Sequence, residues 1–186
     1  MAWNIDASHS QATFSVKHMM ISTVRGHFDV LSGQLHIDEQ HPENSWVEAE
    51  VDAASVNTRD AKRDGHLKSP DFFDVEKFPK ITFKSTKVEP VGDQEYRVTG
   101  NLTLHGVTKE EIFHADYSGI LAKDPFGLQR AGFSAKGTIN RKDYGLNWNV
   151  ALETGGVMVS EKINIEIDLE SVQQAPAEVA SATQTA

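Results

Sequence analysis

The sequence predicts an all-β protein, an extended barrel of about eight antiparallel strands with one short helical insertion. Three observations carry this. Apolar and polar residues alternate with period two along most of the 186 residues, as in strands with one buried and one wet face. Turn signals such as His41-Pro42-Glu43-Asn44, Pro90-Val91-Gly92-Asp93 and Asp124-Pro125-Phe126-Gly127 separate the runs. One long break, from Arg59 to Phe83, interrupts the strand pattern. A two-sheet sandwich and a closed up-and-down barrel both satisfy such alternation. Strand length favours the barrel, because runs of roughly ten to fifteen residues reach about 30–45 Å, more than a small sandwich core needs. Inward-phase glycines at 26, 100, 119 and 137 leave gaps or permit the curvature that barrel corners require.

Trp3 to Asp6 reads as a short strand, and Ala12, Phe14, Val16 and His18 share one face of the next. Met19-Met20-Ile21 breaks the phase. Val24, Gly26, Phe28 and Val30 resume it at even positions, whereas Leu35 and Ile37 are odd. A one-residue slip exchanges the faces, so a bulge or tight turn is expected at Ser32-Gly33. Val47, Ala49 and Val51 make a further strand. The stretch RDAKRDGHL that follows has helix-forming residues and one large apolar side chain, Leu67. It predicts a short exposed helix capped at Asn57 or Thr58 and stopped near Lys68, since Ser69 precedes a proline. Phe72, Phe73 and Phe78 crowd the irregular chain after it and need apolar cover, so the segment reads as a lid or plug across one barrel end. Strands then run through Ile81 and Phe83, Tyr96 to Leu104, Phe113 to Leu121, Phe133 to Ile139, and Ile163 to Leu169. Residues 1–172 form one domain. The polar, small-residue run 173–186 buries too little to offset its ordering entropy and is expected to be disordered.

Composition narrows the function. Hydrophobic residues at 39% and charged residues at 24% describe a soluble globular chain. A net charge of −9 without a Lys/Arg-rich run argues against nucleic acid. With no cysteine, thiolate chemistry and Cys-based metal sites are excluded. No run of 18 apolar residues occurs, so no transmembrane segment is predicted. The N-terminus has neither a basic region nor an apolar one, which predicts a cytoplasmic protein in this form, or a periplasmic one if the chain is a processed mature form. The eight histidines show no H-x-x-x-H or H-E-x-x-H spacing, and G-x-S-x-G is absent. Carboxylate pairs such as Glu50/Asp52 and Glu166/Asp168 fall on the wet phase. No catalytic residue, metal or cofactor is therefore assigned, and the chain is read as a non-enzyme. What remains is the apolar interior, which the pattern allows to be a solid core or a cavity. An apolar cavity of this length would suit a long water-insoluble ligand, each buried methylene contributing about 0.8 kcal/mol.

Six motifs in order carry a resemblance. They are Trp3-x-Ile-Asp6-x-x-His9-Ser10 with Phe14-x-Val-x-His18; Val24-x-Gly26-x-Phe28 with Gly33; and Arg59 with Asp64-x-His66-Leu67-x-Ser-x-Asp-Phe-Phe-Asp74. Pro79-x-Ile-x-Phe83-x-Ser85, Gly100-x-Leu-Thr-Leu-His-Gly-Val-Thr108 and Ile139-x-Arg141-x-Asp-Tyr-Gly145 complete the set. Together they resemble the YceI-like family of polyisoprenoid-binding, lipocalin-like β-barrel proteins. Tyr144 stands where many members carry Phe, a neutral change. The resemblance implies an extended eight-stranded antiparallel lipocalin-like barrel, usually a homodimer, that binds a long-chain isoprenoid or fatty lipid, such as a polyisoprenoid or prenyl-quinone-like molecule. It would serve as carrier or storage protein.

The lumen would be lined by Phe14, Val16, Phe28, Phe72, Phe83, Leu102, Leu104, Phe133, Ile139, Ile165 and Ile167. His18, Arg59, His66 and Arg141 would form a polar mouth, within a wider polar set that adds His9, Asp64 and Asp143. Two alternatives stay open: an enzyme acting on such a lipid through a histidine cluster or metal at the mouth, and a scaffold with a filled barrel.

Overall fold

The computed structural model describes residues 2–173. The strands in chain order are β1 (Ala2–Ile5), β2 (Gln11–His18), β3 (Ser22–Phe28), β4 (Leu31–His36), β5 (Trp46–Asp52) and β6 (Val56–Asn57). After helix α1 (Ala61–Lys68) come β7 (Lys80–Pro90), β8 (Glu95–Leu104), β9 (Val107–Leu121), β10 (Arg130–Asn140) and β11 (Val159–Gln173). All pairings between these strands are antiparallel. β1 and β2 are halves of one strand interrupted at 6–10, and β3/β4 and β5/β6 are broken in the same way. β11 pairs with both halves of the first, Asp168 opposite Gln11 and Gln173 opposite Trp3. An eight-stranded sheet thereby closes on itself as a barrel. Gln173, expected to begin the tail, is still in register; the rest of that tail lies outside the described residues.

β11 shows why alternation read so clearly. Ile163, Ile165 and Ile167 are half-buried while Asn164, Glu166 and Asp168 are exposed, in strict sequence. The inward isoleucines keep some accessible surface because they face open space. Two packed clusters flank that space. Trp3, Ile5, Leu31, Leu35, Tyr117 and Ala131 make one, and Leu102, Leu104, Ile139, Tyr144 and Leu146 the other.

Three local expectations are corrected. The phase change between β3 and β4 falls at Asp29-Val30, where Val30 turns outward and Asp52 N–H donates to its carbonyl. Gly33 lies within β4, in extended geometry pressed on Ile5 and Ala49, so tight packing and not a bulge calls for glycine there. The helix cap is Asp60, whose carboxylate accepts from the Lys62 and Arg63 amides, the arrangement that satisfies otherwise orphaned first-turn N–H groups. Thr58 is instead buried beneath the helix. Its amide and hydroxyl donate to Asp64, and Arg63 donates to its hydroxyl and carbonyl. Lastly, Tyr144 is fully buried and its hydroxyl donates to Glu111 at 2.6 Å. Tyrosine therefore makes a bond here that phenylalanine cannot, which corrects the reading of the substitution as neutral.

Candidate functional site

The barrel has two ends. The helix end carries the β2–β3 turn, α1 with residues 69–79, the β8–β9 turn and the 141–158 loop; the other end carries residues 37–45 and the β7–β8 and β9–β10 turns. Between them lies an apolar cavity of about 330 Å³. Every side chain that the sequence assigned to the lumen lines it. Phe14, Val16 and Phe28 come from β2 and β3, Phe83 from β7, and Leu102 and Leu104 from β8. Phe133, Ile139, Ile165 and Ile167 come from β10 and β11, and Phe72 from the segment after α1.

Aromatic rings shape the cavity by lying across glycines. Gly26 has Phe14 over it, Gly100 has Phe83, and Gly137 has Phe113, where a Cβ would fall 2.6 Å from the ring. Phe14 meets Phe28 at 5.7 Å, Phe28 meets Phe73 at 5.7 Å, and Phe83 meets Phe113 at 5.2 Å. Gly26, Gly100 and Gly137 thus act as slots for rings from neighbouring strands, a pairing that shields strand backbone a side chain would otherwise cover, whereas Gly119 has a φ of 92° and nothing within 4 Å of where a Cβ would be.

The helix end is closed. Leu67 and Phe73 face the cavity there together with buried Phe72, Arg141 and Leu146. Phe72 lies 5.3 Å from Trp148 and 5.0 Å from His66. Phe78, the third expected lid ring, packs instead on His105 at 4.7 Å, away from the lumen.

The predicted polar mouth is corrected. His18, Arg59 and His66 do not line the cavity. Arg59 is an exposed turn residue with φ of 63°, its amide held by Asn57. His66 pairs with Asp71 at 2.8 Å and packs edge-on to Trp148 at 4.8 Å. His18 ends β2 opposite Ser22 and Val159. Arg141 does reach the lining, but its guanidinium donates to the carbonyls of Leu146, Trp148, Val159 and Ser160. Four of the five N–H groups of an arginine are thereby engaged, and burial lowers its pKa. It fastens the 141–158 loop to β11. Of the wider polar set, Asp64 holds Thr58 and His9 pairs with Asp6 at 2.9 Å.

Polar lining groups gather at the opposite end. His36, Asp38, Glu39, Ser45 and Trp46 line the cavity, with Glu39 and Trp46 exposed, so the lumen opens to solvent there. Tyr117, only 9% exposed, stacks on Phe133 at 5.0 Å and its hydroxyl donates to Glu39 at 2.9 Å. Burial, and then that hydrogen bond, pushes its ionisation well above the ordinary range. Asp38 accepts from the amides of Gln40 and His41 and from the side-chain amide of Asn44, which holds its pKa low. Sequence reasoning missed this mouth because 37–45 reads as an ordinary hairpin loop. Tyr117 and Phe113 were in the inward phase of their strand and could have been named.

Among the described residues, Asp6, His9 and Glu170 bring possible metal-ligating atoms within 4.8 Å of one another. Arg130 donates to both carboxylates and to Asp124, so a guanidinium already meets their charge. This outer-face cluster is an ion-pair clamp joining the 6–10 loop, the β9–β10 turn and β11.

Comparison with known proteins places the chain. A UPF0312 protein of Staphylococcus aureus strain N315 is 39% identical over 168 residues, covering 90% of this chain and 95% of its own. The Campylobacter jejuni YceI protein superposes with a TM-score of 0.74 at 33% identity, over 86% of this chain and 90% of its own. Burkholderia cenocepacia BcnA superposes at 0.79 with 22% identity, covering 89% and 98%. A polyisoprenoid binding domain from Saccharophagus degradans superposes at 0.71 with 21% identity, covering 92% and 98%; both likenesses extend to the fold. The YceI-like domain model matches residues 3–171, and the chain belongs to the YceI-like family.

Proposed function

We propose that the protein binds one long apolar chain, an isoprenoid or similar amphiphilic lipid, inside the barrel as a carrier or storage protein. The observation that carries this is the lumen itself: an apolar space of about 330 Å³, open at one end, whose walls stay partly accessible. A soluble barrel does not keep apolar walls unfilled for stability, since empty apolar space forfeits dispersion contacts. A lipid chain would supply them and gain affinity with length, about 0.8 kcal/mol per methylene. The Saccharophagus degradans neighbour, named as a polyisoprenoid binding domain, supports the ligand class. The polar groups at the closed end are engaged in structural hydrogen bonds, which favours binding over catalysis.

Native mass spectrometry of the purified protein, followed by lipid extraction, tests the reading. The expected result is one long-chain lipid per barrel, or stoichiometric uptake of added geranylgeraniol. A chain that emerges empty and takes up no prenyl lipid would overturn it.

A further inference from the structure

We propose that the outer rim of the open barrel end docks on a lipid bilayer without net negative charge, with Phe126 as its inserting tip, so that the lumen meets the membrane from which its ligand comes. This rests on the lipid-binding reading above. Three loops border the opening. The Tyr117 hydroxyl donates to Glu39 of the 37–45 loop, and the Tyr117 amide donates to the Gln94 carbonyl of the β7–β8 turn. The third, the β9–β10 turn, follows the end of the same strand at Leu121. Phe126 at its tip is 84% exposed. Leu121 and Leu128 near it in the chain, Val91 on the β7–β8 turn and Trp46 after the 37–45 loop are exposed as well. Scattered exposed apolar side chains are ordinary on a soluble protein. Five gathered at one barrel end, bordering an opening that an apolar chain must cross, are not scattered, and apolar exposure of that kind marks a surface that meets another.

The tip is held out by a built turn. Asp124, itself buried, accepts from the amides of Phe126 and Leu128 and from Arg130 Nε at 2.6 Å, and its own amide donates to the Leu128 carbonyl. Gly127 supplies the left-handed residue of the turn, with a φ of 86°. An apolar tip fixed in advance loses little conformational freedom on insertion. Charge decides which surface it meets. The three loops carry five carboxylates, Asp38, Glu39, Glu43, Asp93 and Asp124, and one lysine, Lys123. Anionic leaflets attract basic segments, so these loops are repelled by one, and apolar insertion into a zwitterionic surface must carry the binding. The helix end is the contrast. Met20 and Ile21 are exposed there, but Leu67, Phe72 and Phe73 close the lumen at that end.

Co-sedimentation of the full-length protein with phosphatidylcholine vesicles, with and without added phosphatidylglycerol, tests the docking. The wild type is expected to bind phosphatidylcholine vesicles and to gain nothing from phosphatidylglycerol. Phe126→Ser, a change at an exposed site that should leave the melting temperature unaltered, is expected to weaken binding roughly tenfold or more, the scale of one buried aromatic side chain. Ile21→Ser, at the helix end, should leave it unchanged. Geranylgeraniol is then supplied either in the vesicles or on cyclodextrin. Phe126→Ser should slow uptake from the vesicles and leave uptake from cyclodextrin as it was. Binding that needs phosphatidylglycerol, survives Phe126→Ser or is lost equally in Ile21→Ser would overturn the proposal. So would self-association in vesicle-free solution that Phe126→Ser abolishes, since the rim would then be an interface between copies. Uptake from cyclodextrin with no vesicle binding would overturn the docking and leave lipid binding intact. Vesicle binding with no uptake from either source would overturn the lipid-binding reading instead.

Discussion

At the scale of single residues, the lumen depends on side chains whose surroundings tolerate no charge. Phe133 faces the cavity and stacks on Tyr117. Phe133→Asp would place a carboxylate with no cation partner in an apolar wall, at a cost of several kcal/mol. We expect it to abolish lipid uptake, and a folded variant that still binds lipid would place the ligand elsewhere. Gly137→Ala would push a methyl against the buried Phe113 ring. Overpacking of this kind costs about 1–3 kcal/mol, read as a lowered denaturant midpoint. These residues were legible because inward phase follows from alternation alone. What the glycines do was not, since their ring partners come from neighbouring strands: Phe83 and Gly100 are brought together by the β7–β8 register. The roles of Arg141 and Tyr144 were also hidden, because their partners are backbone carbonyls of the irregular loop after Arg141 and of β11, and a carboxylate on β9.

At the scale of elements, the segment 59–79 covers the closed end. Its charge and its clustered phenylalanines announced that it leaves the sheet, but not which end of the barrel is open. That depends on the 37–45 loop, whose lining role leaves no periodic trace. Phe72→Ala should destabilise the fold by about 3–4 kcal/mol yet leave ligand exchange nearly unchanged. Trp46→Ala, at the open rim, should speed exchange. Stopped-flow displacement of a fluorescent prenyl lipid checks both, and faster exchange in Phe72→Ala alone would show that the helix end is the gate. α1 can also be strengthened: Gly65 is helical, and nothing lies within 4 Å of where its Cβ would be. Gly65→Ala should therefore stabilise by up to about 1 kcal/mol, seen as a raised melting temperature.

The ion-pair clamp makes a prediction about acid. Asp6 is held well below the usual carboxylate range by hydrogen bonds from Ser8, His9 and Arg130, and Asp124 chiefly by Arg130. A carboxyl depressed on folding adds stability that is present above its unfolded pKa, about 3.9, and lost as pH falls through the folded value. The stability gap between wild type and Arg130→Gln should thus be full at neutral pH and close as pH drops below about 4. Urea midpoints across that range measure it, and a gap that stays constant would show that Arg130 acts by packing alone.

At the scale of the whole molecule, closure of the sheet turns one apolar face into a lumen. Sequence patterning reached the barrel because strand length and alternation are local properties. Whether the interior is filled depends on barrel radius and on how rings lie across glycines, which are global ones. Solution NMR of isoleucine-methyl-labelled protein with geranylgeraniol reads the ligand's position without relying on any mutant. Intermolecular NOEs are predicted to the lumen methyls of Ile139, Ile165 and Ile167 and not to the exposed Ile21 and Ile112. Contacts confined to Ile21 or Ile112, with the lumen isoleucines silent, would contradict binding inside the barrel.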